Sequence, residues 1–197
     1  MPEEDGKRRR VFFALWPGET ALEGLDQLGK RLHATGGGRL MARENLHVTL
    51  AFIGEVPTDR IAALRKAAGR VAAADFSLRL DRLDCWRHRR IAWAGCSEPP
   101  LQLLSLVGQL RERLAEVGLP LETGDFTAHV TLLRDVHCAR CTPLPEFAPI
   151  EMKANEFVLV ESRLTREGPH YCVIGRWRLA EANVSSDRAG GLAAPST

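Results

Sequence analysis

The sequence predicts an α+β protein of two pseudo-symmetric lobes, each an antiparallel sheet with helices outside, closing on one central cleft. Two observations predict it. The tetrapeptide His47-Val48-Thr49-Leu50 occurs again as His129-Val130-Thr131-Leu132. Segments with strand-like alternation also interleave with three segments of helical period, with no linker between them.

Residues 1–8 are polar and read as a flexible arm. Arg8-Arg9-Arg10 there is a solvated leader, with contact to RNA as the alternative. Val11 to Leu15 is a buried strand ended by Pro17, and Leu22, Leu25, Leu28 and Leu32 give a helical period that Gly36-Gly37-Gly38 stops. The first motif strand follows. Side chains alternate along a strand, so Leu46, Val48, Leu50 and Phe52 share an apolar face while His47 and Thr49 share the other.

Beyond Gly54, Thr58 is the expected N-cap of a second helix that turns Ile61, Leu64, Ala68 and Val71 inward. Phe76 to Leu83 alternates as a strand, with Ile91 to Cys96 as its neighbour. Between them, Trp86-Arg87-His88-Arg89-Arg90 is either a nucleic-acid grip, basic residues beside an aromatic, or a solvated hairpin tip. Ser97, Pro99 and Pro100 open a third helix whose Leu104, Val107, Leu110, Leu114 and Val117 face inward; Gly118 and Pro120 end it. The second motif strand places Val130 and Leu132 on one face, Thr127, His129 and Thr131 on the other. Residues 135–149 read as an irregular loop; Glu156 to Ser162 and Tyr171 to Leu179 are strands joined across Gly168-Pro169. A single domain over 9–180 results, and residues 183–197, without periodicity, are expected to be a disordered tail.

With 197 residues the chain has room for one sizeable core, and 45% hydrophobic with 26% charged residues is ordinary globular composition. The net charge of +2 gives no global field that would argue for nucleic acid. Nearly all the cations are Arg, however, which suits bidentate phosphate recognition. The five cysteines are odd in number, and no apolar run is long enough for a signal peptide or a membrane span. Those features predict a cytoplasmic protein with free thiols. Cys138-Ala139-Arg140-Cys141 lacks a second ligand pair, so these are read as ordinary loop cysteines rather than a metal site.

Two imidazoles facing one cleft suit general acid–base chemistry, because a histidine pKa near 6.5 lets one be neutral while the other is protonated. Two threonine hydroxyls supply donors for the non-bridging oxygens of a bound anion. The repeat holds no Ser or Cys nucleophile, so the nucleophile is a water. A phosphodiester with a good internal leaving oxygen fits this equipment without a metal or other cofactor. A lone histidine of this kind would be read as a core residue; the duplication argues against that.

The doubled H-x-T-x motif resembles the 2H phosphoesterase superfamily, in particular its RNA 2′,3′-cyclic phosphodiesterase (2′-5′ RNA ligase-like) branch. The segments that carry the resemblance are Arg10 to Pro17, Glu44 to Val56 and Phe126 to Arg134, with weaker matches at Trp93-Ala94-Gly95, Glu161-Ser162 and Gly168 to Tyr171. The resemblance implies the 2H phosphoesterase fold and catalysis by His47 and His129. His47 would protonate the leaving 3′ oxygen and His129 would activate water, leaving a 2′-phosphomonoester. It further implies phosphate binding by Thr49, Thr131 and Arg134. Strand parity sends Arg134 to the opposite face unless the strand bulges near Leu133. Phe13 and Tyr171 are read either as base-pocket or as core residues, and Arg87, Arg89 and Arg90 as possible RNA contacts. The expected partners are RNA with 2′,3′-cyclic phosphate ends or small cyclic nucleotides; no membrane is expected, and the chain is expected to be a monomer.

Two departures stand out: Ala128 replaces a proline common in the family before the second motif, and Gly124-Asp125 replaces an Arg-Pro. They bear on substrate preference. The alternatives are 2′-5′ phosphodiesterase or ligase activity in the same cleft, a non-catalytic RNA-end-binding module, and a metal hydrolase built on His137, Cys138 and Cys141.

Overall fold

A computed structural model describes residues 8–119, 121, 124–141, 143–165 and 168–181. In chain order the elements are β1 (Arg8–Leu15), α1 (Glu19–Gly36), β2 (Arg39–Leu40), β3 (Val48–Pro57), α2 (Arg60–Ala68), β4 (Phe76–Leu80) and β5 (Arg82–Trp86). Then follow β6 (Ile91–Gly95), α3 (Leu101–Glu116), β7 (His129–Arg134), β8 (Ile150–Ala154), β9 (Glu156–Thr165) and β10 (Gly168–Arg178). The expected tail at 183–197 and the arm up to residue 7 lie outside the described residues. Arg8 does not belong to the arm: it opens β1, opposite Pro57.

Eight strands form one antiparallel sheet in the order β10-β9-β1-β3-β7-β6-β5, with β2 paired to β7. The two lobes are therefore halves of one sheet. They meet where the motif strands β3 and β7 pair through Val48 and Val130. A separate two-stranded sheet joins β4 to β8. That arrangement corrects the expectation of one strand over 76–83: Asp81 lies between β4, which turns to β8, and β5, which pairs with β6. The strand β8 has no counterpart among the predicted elements, although Ile150, Met152 and Ala154 alternate with Glu151 and Lys153 as a half-buried strand should.

One face of the main sheet is covered by the helices. Val48, Leu50, Val130 and Leu132 pack there with Leu25, Leu28 and Leu32 of α1, Leu64 of α2, and Leu106 and Leu110 of α3. The expected helical faces hold with two adjustments. Leu104 is exposed and Leu103 takes the inward position, because the buried stripe of α3 runs 103-106-107-110-114. The N-cap of α2 is Asp59 rather than Thr58, whose carbonyl accepts from the Ile61 amide. Helix α1 ends as its glycines predict: Gly37, at φ +61°, caps it with its amide on the His33 carbonyl.

The motif strands both carry a bulge. Against β1, Phe13 pairs with Ala51 and Ala14 with Thr49, which leaves Leu50 as an extra residue. Against β6, Ala92 pairs with Leu133 and Trp93 with Thr131, which leaves Leu132 extra. Two successive residues are thus buried in each strand, Leu50-Ala51 and Leu132-Leu133, and the alternation beyond them reverses. Phe52, expected on the apolar face, is consequently 52% exposed on the cleft side. Arg134, expected to need such a bulge, reaches the cleft by the same device.

The cysteines depart from the expected five free thiols. Cys85 of β5 is disulfide-bonded to Cys138, with Cα atoms 5.9 Å apart. Cys96, Cys141 and Cys172 are free, and Cys141 is buried under α1 at Gly36. Sequence spacing drew attention to the C-x-x-C, whereas the partner of Cys138 lies 53 residues away across the fold. Thiol titration of the unfolded, unreduced chain should therefore count three thiols; five would refute the pairing.

Gly95 pairs with His129, and a Cβ there would collide with the Trp93 ring and lie 2.9 Å from the Ala128 carbonyl oxygen. Gly108 of α3 has open space around it. We expect Gly95→Ala to destabilise the protein by roughly 1–3 kcal/mol and Gly108→Ala to stabilise it by about 0.5–1 kcal/mol. Chemical denaturation of both variants checks the sign of each.

Candidate active site

The face of the sheet opposite the helices forms a cleft of about 690 Å³. Its lining includes His47, Thr49, His129, Thr131 and Arg134, so the two motif copies converge as the duplication predicted. Each copy delivers its polar pair because Val48, Leu50, Val130 and Leu132 are pulled into the core on the other side.

Both imidazoles are held alike. The Nδ1–H of His47 donates to the Asn45 carbonyl at 2.7 Å, and that of His129 donates to the Thr127 carbonyl at 2.8 Å. A bond from Nδ1 to a backbone acceptor two residues back fixes the tautomer and leaves Nε2 as the reactive nitrogen. His47 Nε2 accepts from the Thr49 hydroxyl at 3.1 Å. Asn45 is itself buried, and its Nδ2 donates to the Pro169 carbonyl at 3.0 Å, which ties the His47 support to the start of β10.

The surroundings of the two histidines differ. His47 sits in an aromatic box, with Trp16 stacked at 5.5 Å and 18°, Phe12 at 4.9 Å and Tyr171 edge-on at 5.4 Å. Burial there lowers its pKa to about 4, against the raising effect of the Asn45 carbonyl; the charges of His129 and Arg134 lower it further. His129 lies against Trp86 at 4.6 Å and Trp93 at 5.9 Å. Its pKa is also lowered, by burial first, with Arg134 and Arg89 acting in the same direction and the Thr127 carbonyl against. A second groove opens on the His129 side past Gly124, Asp125 and Thr127. Burial thus favours the neutral form of both rings.

Several sequence assignments need correction. Phe13 does not line the cleft: it is wholly buried against Phe157 and Trp177, since its neighbour Phe12 takes the cleft-facing parity of β1. Tyr171 does line the cleft, on the His47 side. Of the hairpin cations, Arg89 lines it and stands 5.6 Å over the Trp86 ring. Arg87 is an exposed turn residue outside its lining, and Arg90 donates to the Asp135 carbonyl at 3.0 Å. Arg39, which β2 places opposite Arg134, has no periodic or repeated signal, and strand pairing alone brings it in. Trp16, Asn45 and Ser162 also stand at the site; they lie within the segments that carry the resemblance, yet nothing in their pattern assigns them a place there.

Among the described residues, no three His, Cys, Asp or Glu side chains converge as a metal ion would require. The alternative built on His137, Cys138 and Cys141 is broken by the Cys85–Cys138 bond. No described helix is long and apolar enough to cross a membrane.

The low His47 pKa makes a prediction about stability. The unfolded chain takes up this proton near pH 6.5, whereas the folded chain resists it down to about 4. Stability contributed by neutral His47 is therefore full above pH 6.5 and is lost as pH falls through that window, by roughly 3 kcal/mol. Denaturant titrations should show His47→Gln with a flatter pH dependence than the parent; parallel curves would contradict the burial argument.

The fold agrees with that of known proteins. A family profile described as LigT like Phosphoesterase matches twice, over residues 15–93 and 95–171, with one motif copy in each match. The RNA 2′,3′-cyclic phosphodiesterase of Escherichia coli (strain K12) is 38% identical over 144 residues, 73% of this chain and 81% of that one. Its counterpart of the same description from Archaeoglobus fulgidus is 28% identical over 175 residues, 82% of this chain and 96% of that one. Crystal structures of E. coli LigT superpose with TM-scores of 0.75 in apo form and 0.78 in complex with 3′-AMP. They share 31% and 33% identity with this chain, and each comparison covers 89% of this chain and 100% of the other. On the doubled motif, the one-sheet fold and these matches, the chain belongs to the LigT-like phosphoesterase family within the 2H phosphoesterases.

Proposed function

We propose that this cleft hydrolyses RNA 2′,3′-cyclic phosphodiester ends to 2′-phosphomonoesters by paired-histidine general acid–base catalysis, without a metal. The observation that carries the proposal is the matched pair of imidazoles, each fixed through Nδ1 to a backbone carbonyl and each lining one cleft. The relatives named above are RNA 2′,3′-cyclic phosphodiesterases by name, which supports the substrate class.

Phosphate is taken by Arg134, Thr49 and Thr131, with Arg39 beside Arg134 as a second cation. Neutral His129, next to the more open groove, accepts a proton from the attacking water. His47 must then carry a proton to the leaving 3′ oxygen, against the burial that chiefly lowers its pKa. A phosphate anion beside the ring opposes that burial directly, by favouring the charged imidazolium, and offsets the smaller lowering effect of Arg134. The product oxygen leaves as a hydroxyl, the water oxygen stays on phosphorus, and proton count balances between the two rings. Both motif copies lie in one chain, so a monomer completes the site.

An oligoribonucleotide ending in a 2′,3′-cyclic phosphate, incubated with the protein and EDTA, should yield a 2′-phosphate by phosphorus NMR. His47→Ala and His129→Ala should each lower turnover by roughly 10²–10⁴ while keeping the fold, and the pH–rate profile should be bell-shaped. A 3′-phosphate product would reverse which oxygen departs; absence of turnover would leave an RNA-end-binding module.

A further inference from the structure

Beyond the terminal nucleotide, the sheet carries a second feature that the hydrolysis reaction alone does not use. Arg10, Ser162 and Leu164 line the cleft and also line a neighbouring groove over the N-terminal end of β1 and the C-terminal end of β9. The groove adds Arg8, Arg9 and Arg163, so it holds four arginines against two glutamates, Glu55 and Glu161. Glu161 ion-pairs with Arg9 at 3.6 Å and Arg163 at 3.0 Å, and Glu55 ion-pairs with Arg8 at 3.7 Å. Two positive charges are therefore in surplus. Arg10 stands 5.0 Å over the face of Phe52, the ring that the β3 bulge turns outward. Leu164 is 80% exposed at the same rim. Surplus arginines and an apolar rim in this groove, with the exposed Phe52 ring on the adjoining cleft wall beside Arg10, are the equipment for a single-stranded nucleic-acid backbone with stacked bases.

The direction of the reaction selects this groove over the other exits. In a displacement at phosphorus the water enters opposite the leaving oxygen, and that oxygen stays on the ribose. The ribose therefore lies on the His47 side. That side is made by β1, β9 and β10, whose Arg10, Ser162 and Tyr171 stand in one cross-strand row. The groove past Gly124 and Asp125 also holds Arg89 and Arg111, but it lies beside His129, on the water side, so position rather than charge decides between the two.

We propose that the Arg8–Arg10 and Arg163 groove binds the RNA chain 5′ to the cyclic end and sets the preference for a longer chain over a cyclic mononucleotide. The proposal rests on the catalytic reading above, because that reading sets which side the ribose occupies. Arg8 and Arg10 hold phosphodiesters of the penultimate nucleotides, and Phe52 with Leu164 receives a base.

The test compares uridine 2′,3′-cyclic phosphate with a short oligouridylate bearing the same end. The parent protein should turn over the oligonucleotide with a kcat/KM about tenfold higher or more. That advantage should shrink with salt, with a log–log slope near −0.7 for each phosphate held. Arg8→Glu, and the double variant Arg8→Glu with Arg163→Gln, should lose roughly three- to tenfold on the oligonucleotide and nothing on the mononucleotide. Equal rates on both substrates, a salt-independent preference, or variants that impair both substrates alike would overturn it. The salt dependence of the parent needs no variant to fold. If neither substrate turns over, the catalytic reading fails instead. The groove is then judged by equilibrium binding of the corresponding 2′-phosphate oligonucleotide and mononucleotide, where equal affinities overturn it.

Discussion

The pairing of Val48 with Val130 is the constraint on which the site depends. Each valine is wholly buried, and each is flanked by the histidine and threonine of its motif. Burying the apolar members of both tetrapeptides in one core leaves the polar members no face but the other. A slip of one residue in either strand would send a histidine into the leucines of the helices. Core packing and active-site assembly are therefore the same event here.

Geometry beyond that point is supplied by backbone acceptors. The carbonyls of Asn45 and Thr127 hold the two Nδ1 atoms, and they do so from the residues just before the paired strands begin. Such anchors cost no side chain and tolerate sequence change, which is compatible with Ala128 standing between Thr127 and His129. The aromatic walls add a second effect. Trp16, Phe12 and Tyr171 on one side, Trp86 and Trp93 on the other, remove water from both rings and keep them neutral until an anion arrives.

Much of this was legible because it is periodic. The duplicated tetrapeptide and the apolar stripes of α1 and α2 mark the class, the two halves and the candidate histidine pair without any structure. Features set by long-range pairing were not legible. Parity put Phe52 in the core and left Arg134 in question, and only the register against β1 and β6 shows the extra residues that reverse both. The adjacent Phe12 and Phe13 are equally apolar, and which one meets the cleft is decided by which faces Phe157 and Trp177. Cys85 and Cys138 are too far apart in sequence for spacing to pair them. Arg39 enters through a two-residue strand that no pattern marks.

The bulges also place Phe52 and Arg134 at the same offset from their histidines, five residues on, and both on the cleft side. Two halves that carried identical residues there, as they carry identical motifs, would offer a ligand no difference between its two ends. A phenyl ring in one half and a guanidinium in the other removes that equivalence, since an anion finds a cation at one end only. Under the proposed mechanism the duplication supplies the two histidines, and this unlike pair tells the two ends of the cleft apart.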